Sequence, residues 1–162
     1  MPGLEEFSPK GMLHKGWSAQ VDDYAIVCGW ALKGKAFLVG DVAGGLYSFE
    51  GKSGKLIWQT KEIHKGGLMA MSIHPDGNTF ATAGQDAKVL IWESKEGKST
   101  NTFELGKGWV EHIKWSQDGK FIAVVFTKYV YVFDKKGQEY WRSEEHPSTV
   151  SAIAWSNSNE LA

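Results

Sequence analysis

Residues 72–93 read SIHPDGNTFATAGQDAKVLIWE, and this stretch decides the fold. An apolar strand end at Ile73 runs into the turn Pro75-Asp76-Gly77, a second strand carries Phe80, Thr82 and small residues, and a tight turn at Asp86 leads into Lys-Val-Leu-Ile-Trp92. Alternating apolar residues, β-branched and aromatic enrichment and turn residues at each reversal spell successive antiparallel hairpins. Nowhere does a stretch of about ten residues keep a helical 3.6 period free of glycine and turn signals, so very little helix is expected.

The same pattern recurs outward in both directions. GWALKGKAFLVGDVAGGLYSFE occupies residues 29–50, KWSQDGKFIAVVFTKYVYVFD residues 114–134, and AWSNSNELA residues 154–162 begins the pattern a fourth time. Anchored on Trp30, Ile73, Trp115 and Trp155, the units repeat at intervals of about 40 residues, the length of one four-stranded propeller blade. Inner strands are predicted near residues 25–30, 68–73, 110–115 and 150–155, middle strands near 36–40, 79–84 and 121–126, third strands near 45–49, 88–92 and 129–133, and outer strands near 56–60, 100–104 and 139–143. The fold class is therefore all-β, with antiparallel four-stranded blades stacked face to face and apolar on both faces. Three blades are complete (25–62, 63–105 and 106–145) and a partial one covers 146–162; residues 1–24 form an N-terminal extension that could add a strand to a closing blade.

The units resemble WD repeats, most fully in the second. His64 stands four residues before Leu68, Asp86 lies in the turn before the third strand, and Trp92-Glu93 ends that strand. The resemblance implies that His64, Thr82, Asp86 and Trp92 form a buried hydrogen-bond network tying the blade together, as buried polar groups require. Phe49-Glu50 and Phe133-Asp134 replace Trp-Asp elsewhere, Ala43 and Thr127 align with Asp86, and Gly106 takes the histidine position that His146 keeps, so the network is expected complete in one blade only. A second segment, LYSFEGKSGKLIW at 46–58, is similar to the tryptophan-docking motif of quinoprotein-type propellers, and Gly137-Gln-Glu-Tyr-Trp141 echoes its Gly-to-Trp offset. That motif implies stapling of neighbouring blades.

Candidate sites are few. Gly51-Lys52-Ser53 suggests a P-loop, but five residues separate Gly45 from Gly51 where the motif needs four, and no helix follows. His14, His64, His74, His112 and His146 lack metal-site spacing, and a single cysteine, Cys28, excludes a Cys-based zinc site. Neither Asp22-Asp23 nor Glu144-Glu145-His146 reads as a catalytic pair, because adjacent residues on extended chain point apart. The outliers lie in Val110-Glu111-His112-Ile113-Lys114-Trp115, where other inner strands carry small or apolar residues. Glu111, His112 and Lys114 are read either as an inter-blade hydrogen-bond network or as a channel wall that meets a ligand or partner. Trp109, on the connector before that strand, is read either as a partner hot spot or as packing under its own loop.

Composition bounds the function. Eighteen basic residues (18) against 19 acidic ones in 162 residues give a net charge of −1, with no basic excess for a phosphate backbone. Residues 1–6 lack the features of a secretory signal, and the longest apolar run, 25–32, is too short for a membrane span. The expected protein is a cytoplasmic, non-catalytic scaffold without cofactor or metal, binding another protein through Trp109, Glu111, His112 and Lys114; the alternative is a quinoprotein-like enzyme or small-ligand binder using the charged channel residues. Propellers close with four to eight blades. The expectation is therefore either a piece of a longer propeller or two copies joining their open ends, with a homo-oligomer predicted because unpaired apolar edges seek partners. A third option is a four-bladed ring that uses residues 7–20 in its last sheet.

Overall fold

The computed structural model describes residues 16–157 and 160–162. Three four-stranded antiparallel sheets follow one another in sequence order. Blade 1 comprises β1 (Ala25–Ala31), β2 (Ala36–Asp41), β3 (Leu46–Glu50) and β4 (Leu56–Thr60). Blade 2 comprises β5 (Leu68–Ile73), β6 (Thr79–Gly84), β7 (Lys88–Glu93) and β8 (Lys98–Glu104). Blade 3 comprises β9 (Val110–Trp115), β10 (Phe121–Phe126), β11 (Tyr129–Asp134) and β12 (Glu139–Arg142). A two-stranded sheet, β13 (Trp155–Asn157) with β14 (Glu160–Leu161), starts a fourth unit.

The fourth inner strand departs from the sequence expectation. Residues 150–153 are not in a strand: the ladder starts at Trp155↔Leu161, extended by the mutual backbone bonds of Ala154 and Ala162. A strand needs a ladder partner, and no described residue pairs with 150–153. A single 3-10 turn, Leu32–Gly34, also interrupts the β1–β2 reversal, where the sequence reads only a loop. Most of the N-terminal extension, residues 1–15, lies outside the described residues, as does most of the segment expected to close a four-bladed ring.

Both faces of the middle sheets are buried, which explains why β6 and β10 read as continuous runs of small and branched apolar residues. Leu38, Leu46, Leu68, Phe80 and Trp92 fill the space between blades 1 and 2. Ala83, Val89, Ile113, Trp115, Val124 and Phe126 belong to the cluster between blades 2 and 3. Val125, Val130, Val132 and Ile153 form a third cluster, with Val150, Trp155 and Leu161 packed against it.

A repeated aromatic staple joins the outer halves of the blades. Trp58 of β4 reaches the β7–β8 turn, where its indole N–H donates to Ser94 O at 3.1 Å and a Cβ on Gly97 would stand 2.7 Å from its ring. Gly97 has φ +66, so both its backbone angle and the approaching ring require glycine. Phe103 of β8 packs in the same way on Gly137 and lies 5.0 Å from the Phe133 ring. Trp17 does the equivalent on blade 1: it covers Gly54, donates to Gly51 O at 2.9 Å and packs on Phe37 and Phe49. Trp17 thus stands where the outer-strand aromatic of a preceding blade would stand, a role its position in the sequence alone did not reveal.

Candidate functional site

The blade topology sends the β2–β3 turns and the inter-blade connectors to one end of the arc and the β1–β2 and β3–β4 types of turn to the other. At the first end, Asp86 sits in the β6–β7 turn and His64 on the β4–β5 connector. His64 Nδ1 lies 2.9 Å from Asp86 Oδ1, His64 Nε2 lies 2.9 Å from Thr82 Oγ1, and the Trp92 indole N–H donates to that same hydroxyl at 2.8 Å. Burial lowers the proton affinity of His64 against the opposing pull of Asp86, which favours the neutral ring. Facing a carboxylate, Nδ1 carries the ring proton and donates it; Nε2 then accepts from Thr82, whose oxygen accepts from Trp92. Every member has a partner. Asp86 also accepts from the backbone N–H groups of Lys65 and Lys88 at 3.1 and 3.2 Å, which locks the connector onto the turn. The structure therefore brings His64, Thr82, Asp86 and Trp92 into one chain of bonds that fixes the loop face above it.

Blade 1 holds the corresponding turn by other means. Asp41, buried at the end of β2, accepts from Gly45 N–H at 2.7 Å and from the Tyr47 hydroxyl at 2.9 Å. Burial pushes the Tyr47 phenol up to about 12. The Tyr47 oxygen in turn accepts from Asp22 N–H, and Asp22 pairs with Lys61, so residues before β1 are laced to the blade. Neither Asp41 nor Tyr47 stands out in the sequence as a substitute for the missing turn aspartate; the signal was a buried-strand aspartate with a tyrosine six residues on. Blade 3 has Gly106 at the histidine position, and in the fourth unit His146 is exposed, with its backbone N–H paired to Lys128 O and no such network among the described residues. At the opposite end His74 is buried, with Nε2 2.9 Å from Gly119 O and the ring edge-on to Trp115, so it joins the turns of blades 2 and 3.

The four residues expected to meet a partner fall into two places. Trp109 precedes β9 on the loop face and is 51% exposed. Its connector carries Gly106 and Gly108 at positive φ. Glu111 and His112 are half-buried and Lys114 is exposed; all three line a groove of about 280 Å³ along the inner strands, together with Met69, Met71 and Ile153. Among the described residues no hydrogen bond or ion pair joins their side chains to one another or to a neighbouring blade. A second concavity of about 460 Å³ opens on the loop face between blades 1 and 2, lined by Ala43, Glu62, His64, Lys65, Gly66 and Gly67. Among the described residues no group of three His, Cys, Asp or Glu side chains could hold a metal ion, and no helix is long and apolar enough to cross a membrane. Gly51-Lys52-Ser53 forms the turn between β3 and β4.

Successive four-stranded antiparallel blades packed on one another, with the His–Thr–Asp–Trp bond chain in one of them, have the architecture of WD-repeat β-propeller blades. The sequence profile of the WD40 domain of anaphase-promoting complex subunit 4 matches residues 51–117. The chain is 35% identical over 81 residues to the p21-activated protein kinase-interacting protein 1-like of Gallus gallus, covering 44% of this chain and 22% of that one. It is 26% identical over 140 residues to the echinoderm microtubule-associated protein-like 2 of Mus musculus, covering 79% of this chain and 21% of that one. The crystal structure of RRP9 WD40 repeats superposes with a TM-score of 0.76 at 15% identity, over 83% of this chain and 43% of that chain. The chain is similar to the WD-repeat β-propellers in its fold and in these partial sequence matches. Its matched part spans about a fifth of the length of these two curated relatives. WD-repeat domains generally mediate protein–protein interactions and are typically non-enzymatic.

Proposed function

We propose that this chain is a non-catalytic scaffold whose loop face binds another protein, with Trp109 as the central contact and Glu111, His112 and Lys114 on the adjoining channel wall. The observation that carries the reading is the half-exposed indole of Trp109 on a loop held by a rigid blade: large amphipathic rings on ordered surfaces are the side chains that dominate binding energy. The loop-face concavity beside His64 gives the partner a recess, and the His64–Asp86 bonds keep that recess in shape before binding. The quinoprotein-like alternative would need His and carboxylate groups paired with one another in the channel groove, and Glu111 and His112 have no mutual hydrogen bond among the described residues. A cytoplasmic setting suits the exposed Cys28 thiol.

Self-association is the second part of the reading. Ile26 and Trp30 leave the outer face of β1 apolar and open, at 44% and 53% exposure, and such a face seeks cover. Affinity capture followed by mass spectrometry, comparing the wild type with Trp109→Ala and Glu111→Ala, tests the loop-face assignment. Loss of the captured partners with an unchanged unfolding midpoint supports it; an unchanged partner set from folded variants refutes it.

A further inference from the structure

The two ends of the blade stack differ in charge. Opposite the loop face, the turns carry Lys33 and Lys35 between β1 and β2, Lys52 and Lys55 between β3 and β4, and Lys95 between β7 and β8, all exposed. The carboxylates on the turns at this end are already engaged: Asp76 with His74 at 2.9 Å, Glu96 with Lys98 at 2.6 Å and Asp118 with Lys120 at 3.3 Å. Glu50, at the end of β3, accepts from the Ser53 hydroxyl. Among the described residues, Lys33, Lys35, Lys52 and Lys55 make no side-chain hydrogen bond or ion pair. The loop face has the opposite bias, with Asp22, Asp23, Glu62, Asp86, Glu144 and Glu145.

The lysines are presented on fixed turns. Residues 50–55 and 93–98 share the order Glu-x-Lys-x-Gly-Lys, so blades 1 and 2 offer lysines at matching offsets. Gly51 N–H donates to Lys35 O at 2.8 Å and joins the two turns of blade 1, while Leu32 N–H donates to Gly77 O at 2.9 Å and joins them to blade 2. Gly97, between Lys95 and Lys98, lies on the Trp58 ring of β4, the strand that starts directly after Lys55. Leu32 and Lys33 stand at φ +49 and +55, a left-handed conformation that side chains other than glycine adopt at a cost and that persists where the surroundings over-determine it. A Cβ on the adjoining Gly34 would meet nothing within 4 Å. The tip of that turn therefore faces open space.

We propose that this end of blades 1 and 2 is a second docking face, on which Lys33, Lys35, Lys52 and Lys55 take an acidic segment of a partner polypeptide. Charge complementarity selects the occupant: unpaired ammonium groups on held turns attract carboxylates, and the acidic loop face directs such a segment to this end. None of the exposed large apolar residues lies in these turns, so a lipid surface would find the charge without the apolar insertion that lasting attachment needs. The turns likewise offer no exposed aromatic ring on which bases could stack.

The probe is a fluorescein-labelled oligoglutamate peptide, titrated with the whole 162-residue chain and followed by fluorescence anisotropy. The wild type should bind it saturably at about 0.15 M ionic strength and more weakly as salt rises. Lys33→Gln, Lys35→Gln, Lys52→Gln and Lys55→Gln combined should weaken binding at least about tenfold, as several exposed charge contacts add. Lys61→Gln, Lys88→Gln, Lys107→Gln and Lys128→Gln combined alter the net charge equally at the loop end and should bind as the wild type does. Carbodiimide coupling of the peptide to the wild type, mapped by mass spectrometry, should mark Lys33, Lys35, Lys52 or Lys55 and spare the loop-end lysines; this readout stands if a multiple variant fails to fold. No saturable binding by the wild type, equal weakening in both variants, or coupling spread over both ends overturns the proposal. Tighter binding of phosphatidylserine vesicles or of a single-stranded oligonucleotide through the same lysines overturns the acidic polypeptide as the occupant.

Discussion

Replacing Thr82 by valine removes one hydroxyl from the centre of the blade 2 bond chain and leaves its shape intact. Thr82 is fully buried, and His64 and Trp92 are nearly so. The substitution strands two groups at once: the Trp92 N–H that donates to Oγ1 at 2.8 Å and the His64 Nε2 that lies 2.9 Å from it. An unpaired buried polar group costs about 1–3 kcal/mol, so Thr82→Val should destabilise by about 2–5 kcal/mol, a large part of the total stability of an ordinary domain. Thr82→Ser keeps the hydroxyl and loses one methyl group, which costs about 1 kcal/mol. Urea unfolding followed by tryptophan fluorescence and circular dichroism, with unchanged denaturant slope, measures both. Equal stability of the valine and serine variants would refute the bond chain as a stabilising element.

Four further outcomes are expected. Burial holds His64 below its ordinary value of 6.5, so the unfolded chain binds the proton first as pH falls; stability should therefore rise with pH up to about 6.5, and His64→Gln should flatten that slope in urea titrations at successive pH values. Tyr47, pushed up to about 12, should appear as a late-ionising phenol in ultraviolet titration and vanish in Tyr47→Phe; its contribution to stability should be lost as pH rises from about 10 through that value. Gly97→Ala, at φ +66 and 2.7 Å from the Trp58 ring, should cost at least about 1 kcal/mol, whereas Lys95→Ala on the same turn should leave the unfolding midpoint unchanged. Trp109→Ala should leave thermal unfolding within a degree or two of the wild type while abolishing partner capture.

Much of the blade architecture was legible because a strand writes its burial into every second residue and its ends into turn residues. The hairpin around Pro75-Asp76-Gly77 and the run from Lys88 to Trp92 show both signals, and the structure places strands there. Residues 150–153 show where that logic fails: their apolar pattern suits a strand, but a ladder also needs a partner. His74 was equally opaque, since its acceptor, Gly119 O, lies 45 residues away on the next blade. Trp17 looked unassigned for the same reason, its role depending on Gly51 and Gly54 across an interface.

By itself the sequence determined the repeat, the all-β class and the blade most able to carry a complete His–Thr–Asp–Trp chain, because these depend on local periodicity and on residue types at short range. Only the tertiary structure decided that Trp109 stands on the loop face while Glu111, His112 and Lys114 line a groove along the inner strands, and that Asp41 and Tyr47 hold the blade 1 turn that lacks an aspartate aligned with Asp86. Those facts concern which surface one blade presents to the next. That relation is set by packing between sheets, and no periodicity along a single strand encodes it.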